Sequence, residues 1–230
     1  MAQSKNIVYS NSFEIEELSA IEINLNFEEL VISQIYGSEI TIEVGSNNLN
    51  KIPQIKTEDG GLKIESAFKR GSRQKGQICS IYIYIPQDFN PEYIKLLNQT
   101  GNIQAQILKA ECFVSVQSTS GRIDIQACNT EFFVVNNFAG ESRLQKVSCD
   151  YFEFYSESGI LFVELEKAPQ AQSFIKNESG KTQLYYPNTA DLFIDVKTPS
   201  ETYIKQIGQN GPGIKILGSK KNSKVEIKEY

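Results

Sequence analysis

The chain has 230 residues, 40% of them hydrophobic and 22% charged, values of a folded protein long enough to bury a substantial core. A net charge of −5 gives no electrostatic reason to bind nucleic acid or anionic lipid. Histidine is absent, which excludes a Ser-His-Asp or Cys-His centre and the usual zinc sites apart from all-thiolate ones.

The first eighteen residues, MAQSKNIVYSNSFEIEEL, contain no apolar run of the length a secretory signal needs. The cytoplasm is therefore the simplest expected address, with the cell surface as alternative if the natural chain begins further upstream or export is unconventional. Residues 20–45 alternate around Ile21, Ile23, Leu25, Ile40, Ile42 and Val44 and read as strands of an opening coil or cap. Asp59-Gly60-Gly61 is a turn leading into Leu62-Lys63-Ile64. Residues 66–77 are basic and contain glycine, the composition of a mobile loop. Ile81-Tyr82-Ile83-Tyr84-Ile85-Pro86 is a β-rich strand ended by proline.

From there five glycines keep time: Gly101, Gly121, Gly140, Gly159 and Gly180, spaced 20, 19, 19 and 21 residues apart. A fixed period with a turn signal at each beat is the mark of a solenoid. At the second, fourth and sixth positions after glycine the residues are apolar except Ser142, Lys146 and Thr182. At the first, third and fifth they are charged or amide-bearing except Ile160, Phe162 and Tyr185. That alternation is the period of a half-buried strand. A second strand precedes each glycine, with inward pairs Ile94/Leu96, Val114/Val116, Phe133/Val135, Phe152/Phe154 and Ser173/Ile175. Three residues before each glycine stand Asn98, Ser118, Asn137, Ser156 and Asn177. These are placed to bond their own backbone at a bend and to hydrogen-bond from coil to coil. After Pro187 the beat weakens, and Phe193–Val196 and Val225–Ile227 read as final strands.

The reading is an all-β, right-handed parallel β-solenoid of about 20 residues per coil with capped ends. It forms one domain over 1–230, with N-terminal strands and cap in 1–90, regular coils in 91–187, and C-terminal strands and cap in 188–230. No segment approaches the length of a membrane span.

Four outward aromatics, Tyr93, Phe113, Phe132 and Tyr151, stack into a column, either an interaction face or a ladder covered by a flanking segment such as the C-terminal strands. Ile160, Phe162 and Tyr185 form a smaller spot. Neighbouring coils bring Arg122 level with Glu141 and Asp124 with Arg143, expected to pair as surface ions rather than to catalyse, and Gln106, Gln126 and Gln145 align beside them. Lys146 falls on an inward column, where a bulge would let Val147 take its place. Cys79, Cys112, Cys128 and Cys149 show no CxxC spacing and read as small, buried, reduced hydrophobes. No metal, cofactor or catalytic site follows.

The stretch from Leu62 to Gly180 carries IYIYIP at 81–86, IKLLNQTGNIQAQ at 94–106 and QSTSGRIDIQ at 117–126, followed by ESGILFVEL at 157–165 and ESGKTQLYY at 178–186. With these features it resembles the bacterial putative adhesin family. That resemblance implies a right-handed parallel β-solenoid and carries no catalytic residue. The expected function is a non-enzymatic binding scaffold that meets a protein or glycan through an exposed sheet. The alternatives are a bactofilin-like scaffold assembling into a homo-oligomer and, more remotely, an enzyme acting on polysaccharide.

Overall fold

The computed structural model describes residues 6–49, 51–69, 76–208 and 211–230. Within them the chain is all β apart from one short 3-10 turn, Ile15–Glu17. Strands before and after each glycine corner stack into two parallel ladders, upstream and downstream. In the upstream ladder Tyr93–Asn98 pairs with Phe113–Ser118, which pairs in turn with residues 132–137 of the long strand Cys128–Leu165. In the downstream ladder Ile103–Ala105 pairs with Ile123–Ile125, and that strand with residues 142–144. The upstream inward pairs read from the sequence are all buried, Ser173 included. They join one apolar core running from Leu18 to Ile216, and each fully buried aliphatic side chain contributes about 1.5–3 kcal/mol.

The glycine beat has a steric cause. A Cβ on Gly121 would stand 2.0 Å from the carbonyl oxygen of Gly101, one on Gly159 2.0 Å from that of Gly140, and one on Gly180 2.0 Å from that of Gly159. Successive corners touch through bare backbone, which only glycine allows. Gly159 and Gly180 also need positive φ, at 127° and 139°. Beside the glycines, Asn98, Ser118, Asn137, Ser156 and Asn177 are all buried. Ser118 lies in register between Asn98 and Asn137. The Gly101 and Gly121 amides donate to Asn98 Oδ1 at 3.1 Å and Ser118 Oγ at 2.9 Å, while Asn137 Nδ2 donates across the layers to the Gly121 carbonyl at 3.1 Å.

After the downstream strands the chain turns again, and this shifts the phase. Ile107 and Ala127, expected inward, are only half-buried; Leu108 and Cys128, one residue later, are buried instead. Leu108–Lys109 pairs with residues 128–129 in a third, short ladder. Lys146 marks the same turn one layer on: it is exposed at φ 44°, and Val147 takes the inward place.

The ends depart from chain order. Ala20–Leu25 lies between Gly61–Glu65 and Tyr93–Asn98, and Glu29–Ile35 between Cys79–Pro86 and Ile103–Ala105. The layer formed first is thus second in the stack. At the other end Gly213–Leu217 slots between Ser173–Asn177 and Leu192–Lys197. Antiparallel strands finish both ends. Ile7–Glu14 pairs with Glu39–Ser46 and Gln54–Glu58 with Gly61–Glu65, while Thr202–Ile207 pairs with Leu192–Lys197. The Gln54–Gly61 hairpin turns on Asp59 and Gly60 at φ 52° and 70°, the left-handed pair that matches strand twist.

In the first layer the corner is held by Glu28, fully buried. Its carboxylate accepts the amides of Asn26 and Phe27, both at 2.9 Å, and the Ser66 hydroxyl. The expected mobile loop 66–77 falls partly outside the described residues. Its start is tied down, because Phe68 is buried with its ring 4.5 Å from that of Phe27.

Candidate interaction surface

Outward positions of the upstream ladder carry the aromatic column. Tyr93 is opposite Phe113, and Phe113 opposite Phe132, in direct register. Phe132 and Tyr151 continue the row with ring centroids 6.0 Å apart and planes tilted by 55°. Phe132 is 46% exposed; the other three are half-buried. The C-terminal strands lengthen the two ladders in register and so do not serve as the flanking cover considered for the column. Phe174 extends the row diagonally, 6.4 Å from Tyr151, and Phe138, also 46% exposed, meets Tyr155 at 5.7 Å. Both were missed in the sequence because they stand on different outward columns from the four aligned residues. Their only signal is aromatic character at outward positions two or more residues away.

Charges bracket the column. At one end the Lys95 ammonium lies 4.3 Å from the Tyr93 ring centre, and the Tyr93 hydroxyl donates to Glu22 at 2.9 Å. That bond raises the Tyr93 phenol above its ordinary value, with partial burial adding to it. At the other end Lys215 sits 6.0 Å from the Phe174 ring. Partial burial and the neighbouring Glu153 also raise Tyr151. These phenols stay neutral at physiological pH, as an apolar contact surface requires.

The smaller spot on the downstream ladder is assembled as expected. Ile160 is 45% exposed, and Phe162 and Tyr185 rings lie 5.0 Å apart. The charge quartet is arranged differently. Arg122 bonds Asp124 along its own strand at 3.1 Å, instead of reaching Glu141 across the layers. Asp124 and Arg143 are in register, but the Arg143 guanidinium stacks over Phe162 at 5.2 Å. The short two-residue reach along one strand face competes with the cross-strand pair and prevails. Of the aligned amides, Gln106 accepts the Gln34 backbone amide at 3.2 Å.

The cysteines divide. Cys79, Cys128 and Cys149 are buried free thiols, and burial pushes Cys79 and Cys149 up to about 12. Cys112 is exposed, because it lies at a corner outside the inward columns.

The sequence profile of the Toastrack DUF4097 family matches residues 18–200. The chain belongs to that family. The Toastrack DUF4097 match takes in the whole aromatic column and stops before the closing strands Gly213–Leu217 and Lys224–Glu229. Among solved structures, a putative adhesin from Bacteroides fragilis shares the fold at TM-score 0.51, with 12% identity over 98% of each chain. A putative cell adhesion protein from Clostridium sporogenes aligns over 96% of this chain and 99% of its own, at 14% identity and TM-score 0.42. No curated protein matches the sequence. No helix among the described residues is long and apolar enough to cross a membrane.

Proposed function

We propose that this Toastrack DUF4097 protein is a non-enzymatic binding scaffold: one right-handed solenoid body of about 20 residues per coil, spanning 1–230. It holds a protein or glycan partner against Tyr93, Phe113, Phe132 and Tyr151. The observation that carries the reading is the aromatic row standing outward across successive layers with Phe132 nearly half exposed. Contiguous exposed apolar area of this kind marks contact surfaces, and tyrosine is enriched among the few residues that carry most of the binding energy at interfaces. The likeness in fold to a protein described as a putative adhesin supports a role in contact.

The test is Phe132→Ser, compared with the unchanged protein by sedimentation over a range of concentrations and by binding to immobilised bacterial surface glycans and proteins. The expected result is an intact fold with weakened association. Unchanged association would overturn the assignment of the column, and loss of folding would show that the ring is core. End-to-end assembly is favoured by one observation, Ile204 at 63% exposure on the terminal strand Thr202–Ile207. Filaments in negative-stain images would support it.

A further inference from the structure

The downstream ladder carries a second surface, of opposite chemistry. Between the strands Glu29–Ile35, Ile103–Ala105 and Ile123–Ile125 lies a shallow trough whose outward lining is Val31, Ser33, Gln104, Gln106, Asp124 and Gln126. The register explains it. Val31 is opposite Gln104, and Gln104 opposite Asp124, while on the other side Val31 and Ser33 are opposite Tyr82 and Tyr84. The lining on the Glu29–Ile35 side is therefore two short side chains, which keeps the sheet surface low there.

The charge in the trough is already matched: Asp124 is bonded to Arg122 at 3.1 Å. No Lys or Arg is among the residues lining the trough and its one carboxylate is taken, so neither an anion nor a cation finds a partner in the lining itself. The Gln104 and Gln126 side chains are exposed and have no hydrogen bond to the described residues. Each amide offers both donors and an acceptor, as does a row of hydroxyls. An apolar ligand would leave those amides unpaired on burial, which opposes its binding. The rows repeat from strand to strand at about 4.8 Å, close to the length of one hexose unit.

We propose that this trough binds a short neutral oligosaccharide laid across the strands. The site shares no residue with the aromatic column, so the two assignments stand or fall separately. The test follows the side-chain amide resonances of the whole protein during titration with neutral hexasaccharides of glucose, mannose and galactose. Acidic hyaluronan oligosaccharides and an unstructured peptide serve as competitors in kind. The expected result is saturable shifts at Gln104 and Gln126 with at least one neutral sugar, and binding weakened about tenfold or more in Gln104→Ala/Gln126→Ala at an unchanged melting temperature. Ser33→Leu, which fills the floor, is expected to abolish the same shifts. The proposal is overturned by any of three results: no shift with neutral sugars up to about 10 mM, shifts produced only by the acidic sugar or the peptide, or undiminished binding in the double variant.

Discussion

The carbonyl oxygen of Gly101 occupies the space a side chain on Gly121 would need, 2.0 Å from where its Cβ would stand. Backbone on the facing layer cannot move aside as a flexible side chain can, so Gly121→Ala must separate the layers. The expected loss is about 3 kcal/mol or more, measured by denaturant unfolding. Gly45→Ala is the control. The nearest atoms to its Cβ lie at 3.8 Å, an ordinary contact, so the change is expected to stay within about 0.5 kcal/mol.

Asn98 joins two layers through one side chain. Its Oδ1 accepts the Gly101 amide at 3.1 Å, and its Nδ2 donates to the Glu28 carbonyl at 2.7 Å. Asn98→Ala leaves both backbone groups buried without a partner, and unfolding should show a loss of about 2–4 kcal/mol. Asn98→Asp keeps the acceptor but buries a charge facing a carbonyl, so it is expected to be the worse of the two.

Glu226 gathers Lys181 at 2.7 Å, Lys228, and the Gln183 amide at 2.8 Å. The hydrogen bonds from Lys181, then Lys228 and Gln183, hold its carboxyl at about 2, below the ordinary 4.5. The folded pKa is the lower one, so this group's stabilisation is fully present above pH 4.5 and disappears as pH falls toward 2. Glu226→Gln should therefore melt lower than the unchanged protein at neutral pH, with the gap closing on acidification. A gap that stays constant down to about pH 2 would refute the assignment. The carboxylate is partly exposed, so the difference is expected to shrink with added salt as well.

Thiol labelling should separate the four cysteines. Cys112 alone is exposed, and maleimide is expected to modify it in the native protein, while Cys79, Cys128 and Cys149 react only after unfolding. Partial desolvation and the nearby Glu131, Glu92 and Glu111 raise the Cys112 thiol. Its reaction should accordingly be slower than that of a free thiol at about pH 7 and accelerate as pH rises. Mass spectrometry of the labelled protein reads both outcomes.

Strand phase was legible because it is local. Ile94/Leu96 and Val114/Val116 alternate whichever neighbour they meet, and the glycine beat set their alignment. The role of those glycines was not: a bend needing φ freedom and a corner needing empty space leave the same residue in the sequence. The added turn after Gln106 was hidden because Ile107 and Leu108 are both apolar, so neither position announces which faces in; only Lys146 signalled the shift. The order of layers at the ends was invisible as well. Ala20–Leu25 and Gly61–Glu65 carry similar alternation, and which of them meets Tyr93–Asn98 is decided by long-range packing. The aromatic column was readable as a list of residues, whereas its continuation through Phe174 depended on a diagonal contact between strands.

The insertion of Gly213–Leu217 beneath Leu192–Lys197 means this stack cannot be peeled like a deck of cards from its C-terminal side. The outermost strands were laid before the stretch of chain that tucks back under them, so Gly213–Leu217 is held on both sides and cannot leave until residues 192–207 let go or it slides out from between the two layers. Truncation at residue 210 would thus remove a wedge from the interior of that end and leave its lid unsupported. Residues 213–217 must also be synthesised before that end can shut, which makes this segment its clasp.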